Sequence, residues 1–148
     1  MDLDAELVCD SSADAVFAWV DDLTMYPQWM GLVYRASEIQ PIDGQPAWNV
    51  ELRARLGLFA RSKRLIMVRS VCESPTLAVF ERREDDGREH SMWRLTSSVL
   101  AQPGGCVMHM QLHYGGGLWT GGLAERVLHD EINRSKTRLL TLLAGSTP

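Results

Sequence analysis

Residues 3 to 9 alternate between apolar and polar positions. Leu3, Ala5, Leu7 and Cys9 fall on one side, and Asp4, Glu6 and Val8 on the other. That two-residue period predicts a first strand. Asp10, Ser11 and Ser12 then offer helix N-caps, and Ser11 with Asp14 has the spacing of a capping box, Asp standing in for the usual Glu or Gln. Val16, Phe17, Trp19, Val20 and Leu23 make one apolar side, so a helix is expected to end near Asp22 or Leu23. A helical turn around Tyr26 to Met30 follows, with Pro27 placed where a first turn tolerates it.

From residue 32 the texture changes to short Val-, Leu-, Ile-, Trp- and Arg-rich segments separated by turn residues. Strands are expected near 33–40, 47–56, 61–72, 76–84, 89–101 and 105–114. Asp86-Gly87 is the clearest hairpin signal. Short connections between neighbours imply an antiparallel meander. The last strand has the cleanest alternation, with Met108, Met110, Leu112 and Tyr114 on one face and His109, Gln111 and His113 on the other. After it, Leu128, Ile132, Ser135, Leu139 and Leu142 recur at helical spacing, predicting a helix from Leu118 or Thr120 to Leu143.

Between that strand and that helix runs Tyr114-Gly115-Gly116-Gly117-Leu118-Trp119-Thr120-Gly121-Gly122. The glycines do not form a phosphate cradle. Thr120 stands where Gly-x-Gly-x-x-Gly from Gly115 needs its last glycine, and no Gly-Lys-Ser/Thr follows. The run reads as a pliable joint between sheet and helix, with Trp119 acting as a lid or packing beneath it.

The chain has 148 residues, enough for one domain with a substantial core. Its apolar fraction of 45% and charged fraction of 23% are those of an ordinary globular protein. A net charge of −4 gives no nucleic-acid footprint. No apolar run is long enough to span a bilayer, and the acidic start Met-Asp-Leu-Asp-Ala-Glu lacks the pattern of a signal peptide. The expectation is a cytoplasmic protein without integral membrane association. The cysteines Cys9, Cys72 and Cys106 are odd in number with no Cys-x-x-Cys, so each reads as a small buried thiol in or beside a strand.

The segment from Asp10 to Trp29 resembles the entry motif of the START-like (SRPBCC) superfamily, close to its polyketide cyclase/dehydrase and lipid-transport branch. The matching residues are Val16 and Phe17 in a capped helix, then Asp22, then Tyr26-Pro27-Gln28-Trp29. Tyr114 to Leu118, leading into the last helix, is a second match. The resemblance covers nearly the whole chain as one domain, 1–148. It implies an α+β helix-grip fold: an antiparallel sheet of about seven strands wrapped around a long C-terminal helix, with two short helices after the first strand. It also implies space between that helix and the sheet. It does not choose among the superfamily's carriers, cyclases and regulatory proteins.

The inner face of the expected sheet is rich in Met and aromatic residues. Trp48, Met67, Phe80, Trp93, Met110 and Tyr114 are the candidates to surround an apolar ligand, with Trp119 at the entrance. Each taken singly also reads as plain core. Arg82 is in phase with Ala78 and Phe80, so it points inward, where a guanidinium needs a partner or an anionic ligand. The competing reading is a strand-end arginine reaching solvent beside Glu81 and Glu84. Arg82 and the Tyr114 hydroxyl would orient a polar end of the ligand.

His109 and His113 share the polar side of one strand, but four residues separate them by roughly 13 Å, too far to share one ion. His129, Asp130 and Glu131 are consecutive on a helix and point in different directions. No catalytic residue, metal ligand or cofactor is assigned. Arg53, Arg55, Arg61, Lys63, Arg64 and Arg69 form a local basic cluster, read as cross-strand ion pairing on the wet face. The leading functional reading is therefore binding of a small, mostly apolar ligand such as a lipid, quinone or aromatic polyketide. A polyketide aromatase/cyclase-type enzyme and a regulatory or interaction module are the alternatives. Whether the chain catalyses anything, and whether it forms a homodimer, stay open.

Overall fold

The computed structural model describes residues 2–56, 58–115 and 122–145. Seven antiparallel strands form one sheet in the order β1-β7-β6-β5-β4-β3-β2. They are β1 (Asp2–Cys9), β2 (Val33–Ile42), β3 (Gln45–Leu56), β4 (Phe59–Glu73), β5 (Leu77–Arg82), β6 (Trp93–Gln102) and β7 (Gly105–Tyr114). A helix α1 (Ala13–Val20) and a 3-10 helix (Leu23–Gln28) carry the chain from β1 at one edge to β2 at the other. The long helix α2 (Gly122–Gly145) packs against β3 and β1. This is the expected α+β helix-grip arrangement.

Local chemistry sets the element ends. Ser12 caps α1 by accepting the Ala15 N–H at 3.2 Å, one residue beyond the Ser11 cap expected from the capping-box spacing. The helix stops at Val20 because Asp22 starts a new turn, its carboxylate accepting the Thr24 N–H at 2.9 Å. The second helical element therefore begins at Leu23 rather than near Tyr26. The aromatic residues in and around it are buried with their polar atoms paired. The Tyr26 hydroxyl donates to the Val20 carbonyl at 2.8 Å, Trp29 Nε1 to the Trp19 carbonyl at 3.1 Å, and Trp48 Nε1 to the Thr24 hydroxyl at 3.0 Å. Burial raises the Tyr26 pKa well above its ordinary value, so the phenol stays a donor.

The hairpin expected at Asp86-Gly87 is instead a loop over 83–92. Side chains there replace the ladder. Arg83 N–H donates to the Ile66 carbonyl at 2.8 Å, and the Glu84 carboxylate then accepts the Ile66 N–H at 3.1 Å in place of a strand carbonyl. Asp86 accepts the Arg88 N–H at 3.0 Å and pairs with His90, closing the loop on itself. β5 accordingly ends at Arg82, and β6 begins only at Trp93.

The cysteine reading needs one correction. Cys9 and Cys106 are buried, but Cys72 is exposed near the end of β4. Cys9 and Cys106 stand opposite each other on β1 and β7, with sulfurs 3.3 Å apart. Burial and the neighbouring Cys9 push the Cys106 thiol up to about 12.

The basic cluster is not one patch. Continuous β3–β4 register pairs Glu51 with Arg64 on the outer face, where both Arg53 and Arg64 lie 3.6 Å from the Glu51 carboxylate. The same register pairs Leu52 with Lys63 and Ala54 with Arg61, and Leu52 and Ala54 belong to the buried inner face. Arg69, opposite Phe80, donates to the Asp21 carbonyl at 2.8 Å. The wet-face account holds for Arg53 and Arg64. It fails for Lys63 and Arg69, which strand alternation turns to the inner side and which are half-buried, while Arg61 shares their phase but is exposed.

Candidate functional site: two apolar cavities over the sheet

The inner face collects buried side chains from every strand: Leu3 and Leu7, Val33, Trp48 and Val50, Leu65 and Met67, Phe80, Trp93, and Met108 and Met110. Leu128, Leu139 and Leu143 of α2 close over them. Two cavities remain among the described residues, each about 70 Å³. The first lies between α2 and the β1–β7 pair, walled by Leu3, Leu7, Met108, Met110, Ile132 and Leu139. The second lies over β3, β4 and β6, walled by Tyr26, Val50, Leu52, Leu65, Met67 and Trp93. Both include Met30, Leu32, Leu95 and Leu112, which stand between them.

The segment bearing Met30 is clamped to α2. Ser135, the polar member of the α2 stripe, is buried and accepts the Gly31 N–H at 3.4 Å while donating to the Glu131 carbonyl at 2.8 Å. Arg138 donates to the Trp29 carbonyl at 3.1 Å and to Glu131 Oε1 at 3.1 Å. Arg134 holds the other Glu131 oxygen at 2.7 Å. Residues 131, 135 and 138 lie at helical spacing on one side of α2, so one face of the helix both covers the cavity and fixes its partition.

The site residues expected from the sequence separate into groups. Met110 lines the first cavity, and Met67 and Trp93 the second. Trp48 and Phe80 line neither; they pack edge to face at 5.6 Å, and Phe80 packs the same way on Tyr26 at 6.2 Å. Tyr114 stacks on Trp93 with ring centres 4.7 Å apart. Burial, then the nearby Glu125 carboxylate, raises the Tyr114 pKa. Trp119 lies outside the described residues.

Arg82 points inward as its phase requires, its side chain only 8% exposed. It is already engaged. Nε donates to Glu84 at 3.1 Å, Nη1 to the Ser91 carbonyl at 3.3 Å, and Nη2 lies 3.2 Å from His90 Nδ1. His109 and His113 are exposed and pair with carboxylates of β1, at 2.6 Å to Asp4 and 2.7 Å to Asp2.

No family model and no curated protein matches the chain. Solved structures do. A START superfamily protein from Mycobacterium smegmatis superposes with a TM-score of 0.71 at 14% identity, covering 99% of this chain and 98% of that one. The AHSA1 protein from Silicibacter pomeroyi gives 0.62 at 18% identity, over 99% and 100%. The di-domain ARO/CYC protein BexL from the BE-7585A biosynthetic pathway gives 0.66 at 14% identity, over 100% of this chain and 51% of that one.

The chain has the START-like helix-grip fold. The residues shared by the two cavities, Met30, Leu32, Leu95 and Leu112, were all absent from the expected site. Leu95 and Leu112 carried a signal, since both are in phase with the inner faces of their strands. Met30 and Leu32 carried none. They sit in an irregular segment after the Trp29 turn, where periodicity does not operate. Among the described residues, no helix is long and apolar enough to cross a membrane.

Proposed function

We propose that the protein binds a small, mostly apolar molecule between α2 and the sheet. The observation that carries this reading is the pair of apolar cavities meeting at Met30, Leu32, Leu95 and Leu112. Their walls are almost wholly hydrocarbon, thioether and aromatic surface, which favours dry contents. At about 70 Å³ each they are far smaller than the roughly 300–1,000 Å³ of sites for drug-sized ligands. Benzene occupies a cavity of roughly 150 Å³, so even a single-ring body requires Met30 or a neighbouring side chain to shift. A lipid, quinone or fused-ring ligand requires a larger movement of Met30 or α2. Met67, Trp93 and Met110 supply contacts, and Trp48, Phe80 and Tyr114 support the wall from behind.

The test is a thermal-shift and native mass-spectrometry screen of benzene derivatives, short-chain quinones and medium-chain acyl compounds. Stoichiometric binding with a raised Tm is expected. Absence of binding by every class would overturn the reading.

A second reading is a cyclase, motivated by the likeness to BexL and to the steffimycin-pathway ARO/CYC protein StfQ. It needs a group to take protons from a bound polyketone. Tyr114, whose pKa is raised, serves better as a hydrogen-bond donor than as a base. Adding the protein to a polyketide synthase reaction and finding the product profile unchanged would dismiss it.

A further inference from the structure

Lys63 occupies an unusual place on the sheet. Along the inner face of the β3–β4 ladder the directly opposed pairs run Val50–Leu65, then Leu52–Lys63, then Ala54–Arg61. Val50, Leu52 and Leu65 line the second cavity. Lys63 therefore stands at the cavity's end, facing a cavity residue across the ladder. Its side chain is half-buried.

The charges around it do not balance. Lys63 feels the Arg82 guanidinium and the Glu84 carboxylate. Glu84 is bound by Arg82 at 3.1 Å and also accepts the Ile66 N–H. His90, beside Arg82, pairs with Asp86. Two cations thus share one carboxylate, and Lys63 has no ion-pair partner among the described residues. Burial, reinforced by Arg82, lowers its pKa from the ordinary lysine value. The outer-face cations Arg53 and Arg64 differ, since Glu51 serves both. Lys63 does not itself line the cavity, but it stands half-buried beside the cavity-wall residue Leu52 with its nearest carboxylate already bound by Arg82, a position where an added anion is favoured.

We propose that the ligand carries a carboxylate on its apolar body, and that the Lys63 ammonium receives this carboxylate at the β3–β4 end of the second cavity. This rests on the reading that the cavities take an apolar body, and adds the chemical class of the head. Arg82 stays with Glu84 and contributes field rather than contact. The apolar tail runs past Leu52 and Leu65 toward Met30.

The test compares octanoate with octanamide, equal in length and differing in charge, by titration calorimetry at low salt on the full chain. Wild type, Lys63→Met and Lys63→Arg are measured. Octanoate is expected to bind wild type about tenfold more tightly than Lys63→Met, the scale of one charge-assisted hydrogen bond. Octanamide should not distinguish them, and Lys63→Arg should keep most of the octanoate affinity. Equal octanoate affinity for wild type and Lys63→Met overturns the proposal. Octanamide binding as tightly as octanoate overturns it too, while leaving the apolar pocket standing. Failure of both ligands to bind wild type overturns the head group and the pocket together.

Discussion

Gly31 lies against the carboxylate of Glu131. A methyl group on the Gly31 Cα would overlap Glu131 Oε1 and crowd Cδ and the Arg138 guanidinium. That carboxylate is not free to swing away, because Arg134 and Arg138 hold its two oxygens. Arg138 also bonds the carbonyl of Trp29, two residues before the glycine. The bare backbone of Gly31 is what allows α2 to reach the loop that carries Met30.

Gly31→Ala should therefore destabilise the protein by about 1–3 kcal/mol, the usual cost of overpacking a fitted contact. In a Glu131→Ala background the same change should cost under about 1 kcal/mol, since the colliding carboxylate is gone. Urea unfolding of the four proteins in this cycle measures both numbers. Additive costs would mean that the Glu131 contact is not what constrains Gly31.

The strands and the long helix were legible because one face of each is wet and one is dry. β7 shows this best: Met108, Met110 and Tyr114 are buried, while the alternating His109 and His113 reach solvent. The extent of β5 and β6 was not legible. Whether Glu84 continues a strand or uses its side chain to satisfy Ile66 N–H depends on a residue eighteen positions away. The candidate site was legible in part for the same reason. Inward phase placed Met67, Trp93 and Met110 on the cavities, but phase cannot separate a cavity wall from a packed ring such as Phe80. Only the three-dimensional filling of the space decides that.

Asp21, just after α1, gives the chain a pH-dependent term. Burial is the largest influence on its carboxyl and raises the pKa above the ordinary 3.8; Arg69 acts the other way and the adjacent Asp22 adds to the rise. An acid whose pKa is higher in the folded state holds its proton more firmly there, so ionising it costs folding free energy. That cost is present above the folded pKa and fades as pH falls toward 3.8. Asp21→Asn should consequently melt above wild type at pH 7, with the gap closing near pH 3.8. Parallel melting curves across this range measure it. A gap that widens on acidification would show that Arg69 outweighs burial.

Met30 controls how much of the interior a ligand can use. Its side chain lines both cavities, so its removal should join them into one space. Met30→Ala leaves Leu32, Leu95 and Leu112 as the remaining partition. Deleting a buried methionine side chain typically costs about 2–5 kcal/mol, and Met30 is only half-buried, so the lower end of that range is expected. The enlarged space should favour a fused-ring probe over a single ring. Naphthalene should bind Met30→Ala more tightly than wild type, while benzene gains less because it needs less of the added space. Met30→Phe should have the opposite effect, its rigid ring crowding the junction and weakening both probes. Thermal shifts of the three proteins with each hydrocarbon read the pattern. Identical naphthalene binding by wild type and Met30→Ala would show that Met30 already yields to the ligand at little cost. The partition would then lie with Leu95 and Leu112 on the sheet, whose strand positions cannot move aside.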